Sequence, residues 1–196
     1  MAAVPDYFAL SDVTLIGLSL GGGLAIRAAA FEPRVKRVIA YDVLFDFLSC
    51  NLSQLPVFLQ HGLRLLLHAH FDGAVSLLAR RMSRSSPITA WGLQQGMHVT
   101  GTDTPAQYLR AIARYNTASV SSRVSQDVLL LAGREDHLLP IHQFTEQISA
   151  LTGARSVTAR LFTRAESAQN HVQVGNLGLA FRVMQSWLEQ NVSELN

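Results

Sequence analysis

Cysteine is almost absent: Cys50 stands alone among 196 residues, and a disulfide framework needs paired thiols. Charge is sparse too. Charged residues make up 15% of the chain, 16 basic against 14 acidic, for a formal net charge of +2. The arginines are spread along the chain, so nucleic-acid binding draws no support from charge. Glycine (13) and proline (6) are too few for a collagen-like or low-complexity chain. A hydrophobic fraction of 48% excludes disorder, which needs low hydrophobicity together with high net charge. Long apolar runs are missing as well. An uncharged stretch in the first third, Val13 to Ile26, contains four glycines and is too short to cross a bilayer. Met1 to Leu10 has no basic segment and carries Asp6, so no secretory signal is expected. A cytoplasmic protein with no membrane or nucleic-acid partner is the expectation. Asn51-Leu52-Ser53 and Asn191-Val192-Ser193 match the glycosylation acceptor pattern and are read as chance.

What is present is an alternation of strands and helices. Val13 to Gly17 is a short apolar run rich in β-branched residues, and Val35 to Val43 holds a second that ends in Tyr41-Asp42. Both read as strands buried on two faces. Leu20 to Phe31 between them is rich in Ala, Leu and Ile, and Glu32-Pro33 ends it, because proline disfavours helix at the residue before it. A third run, Asp127 to Ala132, precedes Gly133 and a helix over Ile141 to Thr152, with Gly153 expected as a left-handed cap. Val157 to Phe162 reads as a fourth strand. From His171 to Gln190, the spacing of Val174, Leu177, Phe181, Met184 and Leu188 predicts an amphipathic helix. The middle differs. Periodic leucines replace β-branched runs, and Ser86-Pro87 and Thr104-Pro105 each place a capping hydroxyl before a first-turn proline. The pattern predicts an α/β fold: a parallel-sheet core over 1–46 and 119–196, interrupted by a helical insert over 47–118.

Gly17-Leu18-Ser19-Leu20-Gly21 is a G-x-S-x-G sequence between a predicted strand and a predicted helix. There a serine sits on a sharp turn with its Oγ exposed, and the neighbours two before and two after have no room for Cβ. Gly17 and Gly21 are expected to supply that clearance, and Gly22 close packing. The Leu20 N–H is placed to bind a developing oxyanion. The competing reading, a glycine-rich phosphate cradle, lacks a G-x-G-x-x-G spacing and a Walker lysine. A serine nucleophile needs a base held in the right tautomer by an acid. Asp136, after the third strand, is the preferred acid and Glu135 the alternative. His171, after the fourth strand, is the preferred base, since His137 and His142 precede that strand.

With these residues assembled, the chain resembles the α/β-hydrolase superfamily, and within it serine hydrolases described as acyl-peptidase-like or dienelactone-hydrolase-like, with a helical lid between the sixth and seventh strands. The likeness rests on Gly17-Leu18-Ser19-Leu20-Gly21-Gly22, on Ala90 to Met97 in the insert, on the spacing of Gly133, Asp136 and Pro140, and on Asn170-His171-Val172-Gln173. It runs from about Val13 to Leu188. It implies Ser19 as nucleophile, Asp136 as acid, His171 as base and the Leu20 amide as oxyanion donor. Leu18, Trp91 and Met97 are the expected contacts of a small-molecule acyl substrate, and neither a cofactor nor a metal is required. A resemblance to a carbon–carbon bond hydrolase acting on a ketone widens the chemistry beyond esters. Relatives often carry cysteine where Val172 stands. A complete member has about four more strands before the serine strand and takes its second oxyanion donor from a loop after its third strand, and residues 1–12 supply neither. The expectation is therefore a partial sheet, with self-association or a missing N-terminal segment at its exposed edge. The alternative function is a catalytically impaired remnant acting as a binding or interaction module.

Other features carry bland readings. His68 and His70 are two apart and point to different faces, which favours partly buried lid histidines over a metal site. Arg80, Arg81 and Arg84 suit a solvated helix end. Phe58 and Tyr108 are expected to pack within the insert, and Cys50 as a packed thiol.

Overall fold

The computed structural model describes residues 2–193. Helix α1 (Ala3–Tyr7) is followed by strand β1 (Val13–Leu18), helix α2 (Leu20–Ala29) and strand β2 (Val35–Tyr41). Five helices come next: α3 (Phe47–Leu52), α4 (Val57–His68), α5 (Asp72–Ser83), α6 (Pro87–Thr100) and α7 (Pro105–Ala113). The chain then runs through α8 (Ala118–Ser121), β3 (Asp127–Gly133), α9 (Ile141–Ala150), β4 (Ser156–Phe162) and α10 (Leu177–Ser193). It divides into two compact units, Met1–Asp46 with Asn116–Asn196, and Phe47–Tyr115.

In the first unit the four strands are all parallel, in the order β1-β2-β3-β4. Alternation along the central strands serves two layers at once. Val38, Ala40, Val128 and Leu130 face one side and pack with Ala25, Ile26 and Ala29 of α2, Val120 of α8 and Phe144 of α9. Ile39, Tyr41, Leu129 and Leu131 face the other and pack with Ala180, Met184 and Trp187 of α10. Burial on both faces explains why β2 and β3 read as unbroken apolar runs.

Several expectations are corrected. β1 lies at the edge of the sheet, as a partial sheet requires, but the expected burial of both its faces fails: Ile16 and Leu18 are 45% and 52% exposed. Apolar composition reports propensity for a strand, not its place in the sheet. The last helix starts at Leu177, not His171, and its buried face is Ala180, Met184 and Trp187, whereas Val174, Leu177 and Phe181 are exposed. Gly153 is not left-handed, since Gly101 is the positive-φ glycine among the described residues. At Gly153 a Cβ would stand 2.3 Å from the Ser122 carbonyl oxygen, so close packing is what glycine provides there.

The second unit has its own core of Leu48, Leu52, Leu63, Leu67, Val75, Tyr108, Leu109 and Ile112. Its helices begin where the Ser-Pro and Thr-Pro pairs predict. Ser86 Oγ accepts the Thr89 N–H at 3.2 Å. Thr104 Oγ1 accepts the Gln107 N–H at 3.3 Å while Gln107 Oε1 accepts the Thr104 N–H at 3.2 Å, a reciprocal capping box. Gly101, with φ of 62°, ends α6. Arg110 pairs with Asp72 and donates to the Leu67 carbonyl at 3.0 Å, tying α7 to the end of α4 and the start of α5. His68 and His70 are both exposed, contrary to the expectation of partial burial, because α4 ends at His68 and His70 turns left-handed at φ of 60°.

Candidate active site

The parallel strands deliver three predicted residues to one end of the sheet. Ser19 follows β1 as the N-cap of α2, with φ of 55° and ψ of −118°, a conformation that non-glycine residues seldom adopt. Two backbone bonds hold it there: its N–H donates to the Tyr41 carbonyl at 2.8 Å, and its carbonyl accepts the Gly22 N–H at 2.9 Å. Glycine is required unevenly around the turn. A Cβ on Gly17 would lie 1.9 Å from the Gly21 carbonyl oxygen, and one on Gly22 would lie 2.7 Å from the Asp42 carbonyl oxygen. A Cβ on Gly21 would meet nothing within 4 Å, so the clearance expected of Gly21 is not a packing requirement among the described residues. Leu20 opens α2, where an N–H has no partner in the helical ladder.

His171 lies beyond β4, with Nε2 2.9 Å from Ser19 Oγ and Nδ1 2.6 Å from Asp136 Oδ2. A ring nitrogen against a carboxylate carries the proton, which leaves Nε2 as acceptor for the serine hydroxyl. Asp136 follows β3. Its Oδ1 accepts the N–H groups of Leu138 at 2.8 Å and Leu139 at 3.0 Å, fixing the carboxylate from behind. Burial raises the Asp136 pKa, but hydrogen bonds from His171, Leu138 and Leu139 outweigh it and hold the carboxyl below its ordinary value. Burial likewise disfavours a charged His171, yet the hydrogen bond to Asp136 and the charges of Asp136 and Asp42 raise its pKa above 6.5. Glu135, the alternative acid, is exposed and paired with Arg164 at 2.5 Å. The acid and histidine loops lie against each other, since a Cβ on Gly133 would stand 2.4 Å from the Gln169 carbonyl oxygen.

The sequence reading passed over Asp42. It follows β2, is fully buried, and has φ of 58°. One carboxylate oxygen accepts the Val172 N–H and stands 3.5 Å from His171 Nδ1, and the other accepts Gln173 Nε2 at 3.1 Å. The available signal was an acid at the end of a doubly buried strand, on the same sheet edge as the serine. Asp42, Asp136 and His171 offer donor atoms within 4.8 Å of one another. The Asp136 carboxylate already accepts the His171 ring N–H and the Asp42 carboxylate the Val172 backbone N–H.

No protein-family model matches the chain. Among curated proteins it is similar to hydrolase acrC of Aspergillus aculeatus, at 26% identity over 144 residues, 74% of this chain and 33% of that one. It is 26% identical over 194 residues to 20-hydroxy-prefusarin hydrolase FUS2 of Gibberella moniliformis, 94% of this chain and 45% of that one. It is 31% identical over 103 residues to alpha/beta hydrolase ucsC of an Acremonium species, 53% of this chain and 20% of that one. The chain thus spans less than half the length of each. Its fold matches 2,6-dihydroxy-pseudo-oxynicotine hydrolase with a TM-score of 0.61 at 20% identity, over 95% of this chain and 44% of that one. A meta-cleavage product hydrolase from Pseudomonas fluorescens gives a TM-score of 0.55 at 19% identity, over 100% of this chain and 70% of that one. The chain shares the α/β-hydrolase fold of these structures.

Within this fold the predicted substrate contacts fall in both units. Leu18 adjoins the serine and is exposed. Trp91 is 67% exposed on α6, and Met97 packs against the core of the helical unit. Tyr108 is buried in that core, whereas Phe58, expected to pack within the insert, is exposed. Arg80, Arg81 and Arg84 are exposed at the end of α5. Among the described residues no helix is long and apolar enough to cross a membrane.

Proposed function

We propose that this chain carries the reacting groups of a serine hydrolase, with Ser19 as nucleophile, His171 as general base and acid, and Asp136 as the residue that orients the imidazole. The reading is carried by the unbroken sequence of contacts from Ser19 Oγ to His171 Nε2 at 2.9 Å and from His171 Nδ1 to Asp136 Oδ2 at 2.6 Å. Ser19 Oγ attacks the carbonyl carbon of an ester or related acyl compound while its proton passes to Nε2. The oxyanion of the tetrahedral intermediate faces the Leu20 N–H and the positive end of α2. Collapse of the intermediate expels the leaving group, which takes the proton from Nε2. Water then gives its proton to Nε2, attacks the acyl-enzyme, and frees the acid and Ser19. A ketone whose carbon leaving group is protonated by the same imidazole fits this scheme, so carbon–carbon cleavage belongs to the proposed range. Leu18, which adjoins the nucleophile and is exposed, is the proposed contact for the acyl group. A fluorophosphonate probe tests the reading, because it phosphonylates an activated serine without needing the true substrate. Labelling of wild type that vanishes in Ser19→Ala is the expected result. Folded wild-type protein that takes up no probe would overturn it and favour a role as a binding module.

A further inference from the structure

We propose that Asp42 is a positioning residue for His171: a second carboxylate that holds the histidine's loop in its strained conformation and places a negative charge behind the imidazole. The inference rests on the serine hydrolase reading and adds to it a group from a different strand.

The geometry has two parts. First, the loop is strained and β2 holds it. Val172 and Gln173 have φ of 44° and 45°, two consecutive non-glycine residues in the left-handed region, one of them β-branched. Such a conformation persists only where its surroundings impose it. The last residue of β2 and the one after it supply that constraint. The Tyr41 hydroxyl donates to the Val172 carbonyl at 2.6 Å, and the Asp42 carboxylate accepts the Val172 N–H. Both polar groups of Val172 are therefore fixed by neighbouring residues of one strand. Gln173, also fully buried, donates to Asp42 at 3.1 Å and to the Asn170 carbonyl at 3.2 Å, completing the clamp.

Second, the clamp is a carboxylate set beside the imidazole. A neutral side chain could accept the Val172 N–H, yet the site keeps a carboxylate away from water, where an unpaired charge is costly. The oxygen that bonds Val172 also stands 3.5 Å from His171 Nδ1. The groups facing the imidazole are Asp42 from the end of β2, Asp136 and the His137 ring at 6.4 Å from the loop after β3, and Ser19 from the end of β1. Among the described residues no cation stands in this set, so both groups, when ionised, favour the imidazolium that forms when Ser19 gives up its proton. Burial raises the Asp42 pKa, and the hydrogen bonds from Gln173 and Val172 only partly offset this.

The test replaces the charge and keeps the shape. In Asp42→Asn the amide oxygen still accepts the Val172 N–H. After a flip of the Gln173 amide, the new asparagine NH2 donates to Gln173 Oε1, a buried atom without a partner in the present arrangement, at the expense of the bond from Gln173 Nε2 to the Asn170 carbonyl. The pKa of His171 is read by NMR of the ring, and the fluorophosphonate labelling rate is followed against pH. We expect the His171 pKa to fall by about one unit in Asp42→Asn, and the acid limb of labelling to move down with it. A purely structural role would lower the rate at every pH and leave the limb in place, which would overturn the proposal. A second measurement needs no variant. In wild-type protein with 13C-labelled aspartates, the carboxyl carbons of both Asp42 and Asp136 should register the His171 inflection, and silence at Asp42 would refute the coupling. If both carbons respond but no probe reacts at any pH, the nucleophile reading falls while the coupling stands.

Discussion

The serine turn offers a pair of substitutions of opposite sign. Alanine at position 17 would put its Cβ 1.9 Å from the Gly21 carbonyl oxygen, 2.4 Å from the Gly21 carbonyl carbon and 2.8 Å from the Gly22 nitrogen. All three are backbone atoms at the start of α2, so no rotamer relieves the clash, and the helix start must move by more than an ångström. Overpacking of this kind costs about 3 kcal/mol, of which the reduced entropy of the unfolded chain returns somewhat less than 1 kcal/mol. For a chain of this size the net loss corresponds to a fall in Tm of roughly 5–10 °C. Alanine at position 21 meets nothing within 4 Å and lies inside α2, where it should be neutral or gain about 0.5 kcal/mol over glycine. Urea unfolding followed by circular dichroism separates the two. Gly17→Ala should also depress probe labelling by about 100-fold, because a shift of an ångström carries Ser19 out of reach of His171 Nε2. Equal stabilities for the two variants, or a larger loss for Gly21→Ala, would refute the packing argument.

Three further expectations are independent of that pair. Because hydrogen bonding and nearby carboxylates raise the His171 pKa above 6.5, half-maximal labelling should fall above pH 6.5. The stability linked to the same group is fully present below its unfolded value and is lost as pH rises through the folded value, so reactivity grows where this stabilisation fades, as a pH series of labelling rates and melts would show. Tyr41→Phe removes the hydroxyl that donates to the Val172 carbonyl at 2.6 Å and should cost about 1 kcal/mol in urea unfolding, with slower labelling as the histidine loop relaxes. Ile112→Ala, at a fully buried position in the helical unit, should cost about 2–5 kcal/mol in the same assay.

Much of this was legible because local chemistry and tertiary structure agree. Ser19, Asp136 and His171 follow three different strands, and in a parallel sheet the C-terminal ends of strands share an edge, so spacing alone brought them to one place. The capped starts of α6 and α7 were equally readable, since Ser86-Pro87 and Thr104-Pro105 complete their own hydrogen bonding within one turn. What escaped depended on distant neighbours. Ile16 and Leu18 look like interior strand residues, but exposure is decided by whether another strand lies alongside. Val174, Leu177 and Phe181 have helical spacing and yet lie on the exposed side, because the left-handed pair at Val172 and Gln173 delays the helix and sets its face. No propensity would assign that conformation to a valine. It is imposed by Tyr41 and Asp42, more than a hundred residues earlier in the chain.

The ends of the helical insert bear on how such a chain can change over generations. Asp46 and Asn116 form an antiparallel bridge, and the next residues inward continue it, with the Phe47 N–H donating to the Tyr115 carbonyl at 3.0 Å and the two rings 6.3 Å apart. To the strands on either side, the whole segment between these residues is topologically a hairpin loop. Exchanging it for a turn of a few residues would remove on the order of 2 kcal/mol of loop-closure cost and leave β2 and β3 their register. The insert can therefore be lengthened, shortened or exchanged without renegotiating the sheet, and the geometry at Ser19 and His171 is inherited unchanged.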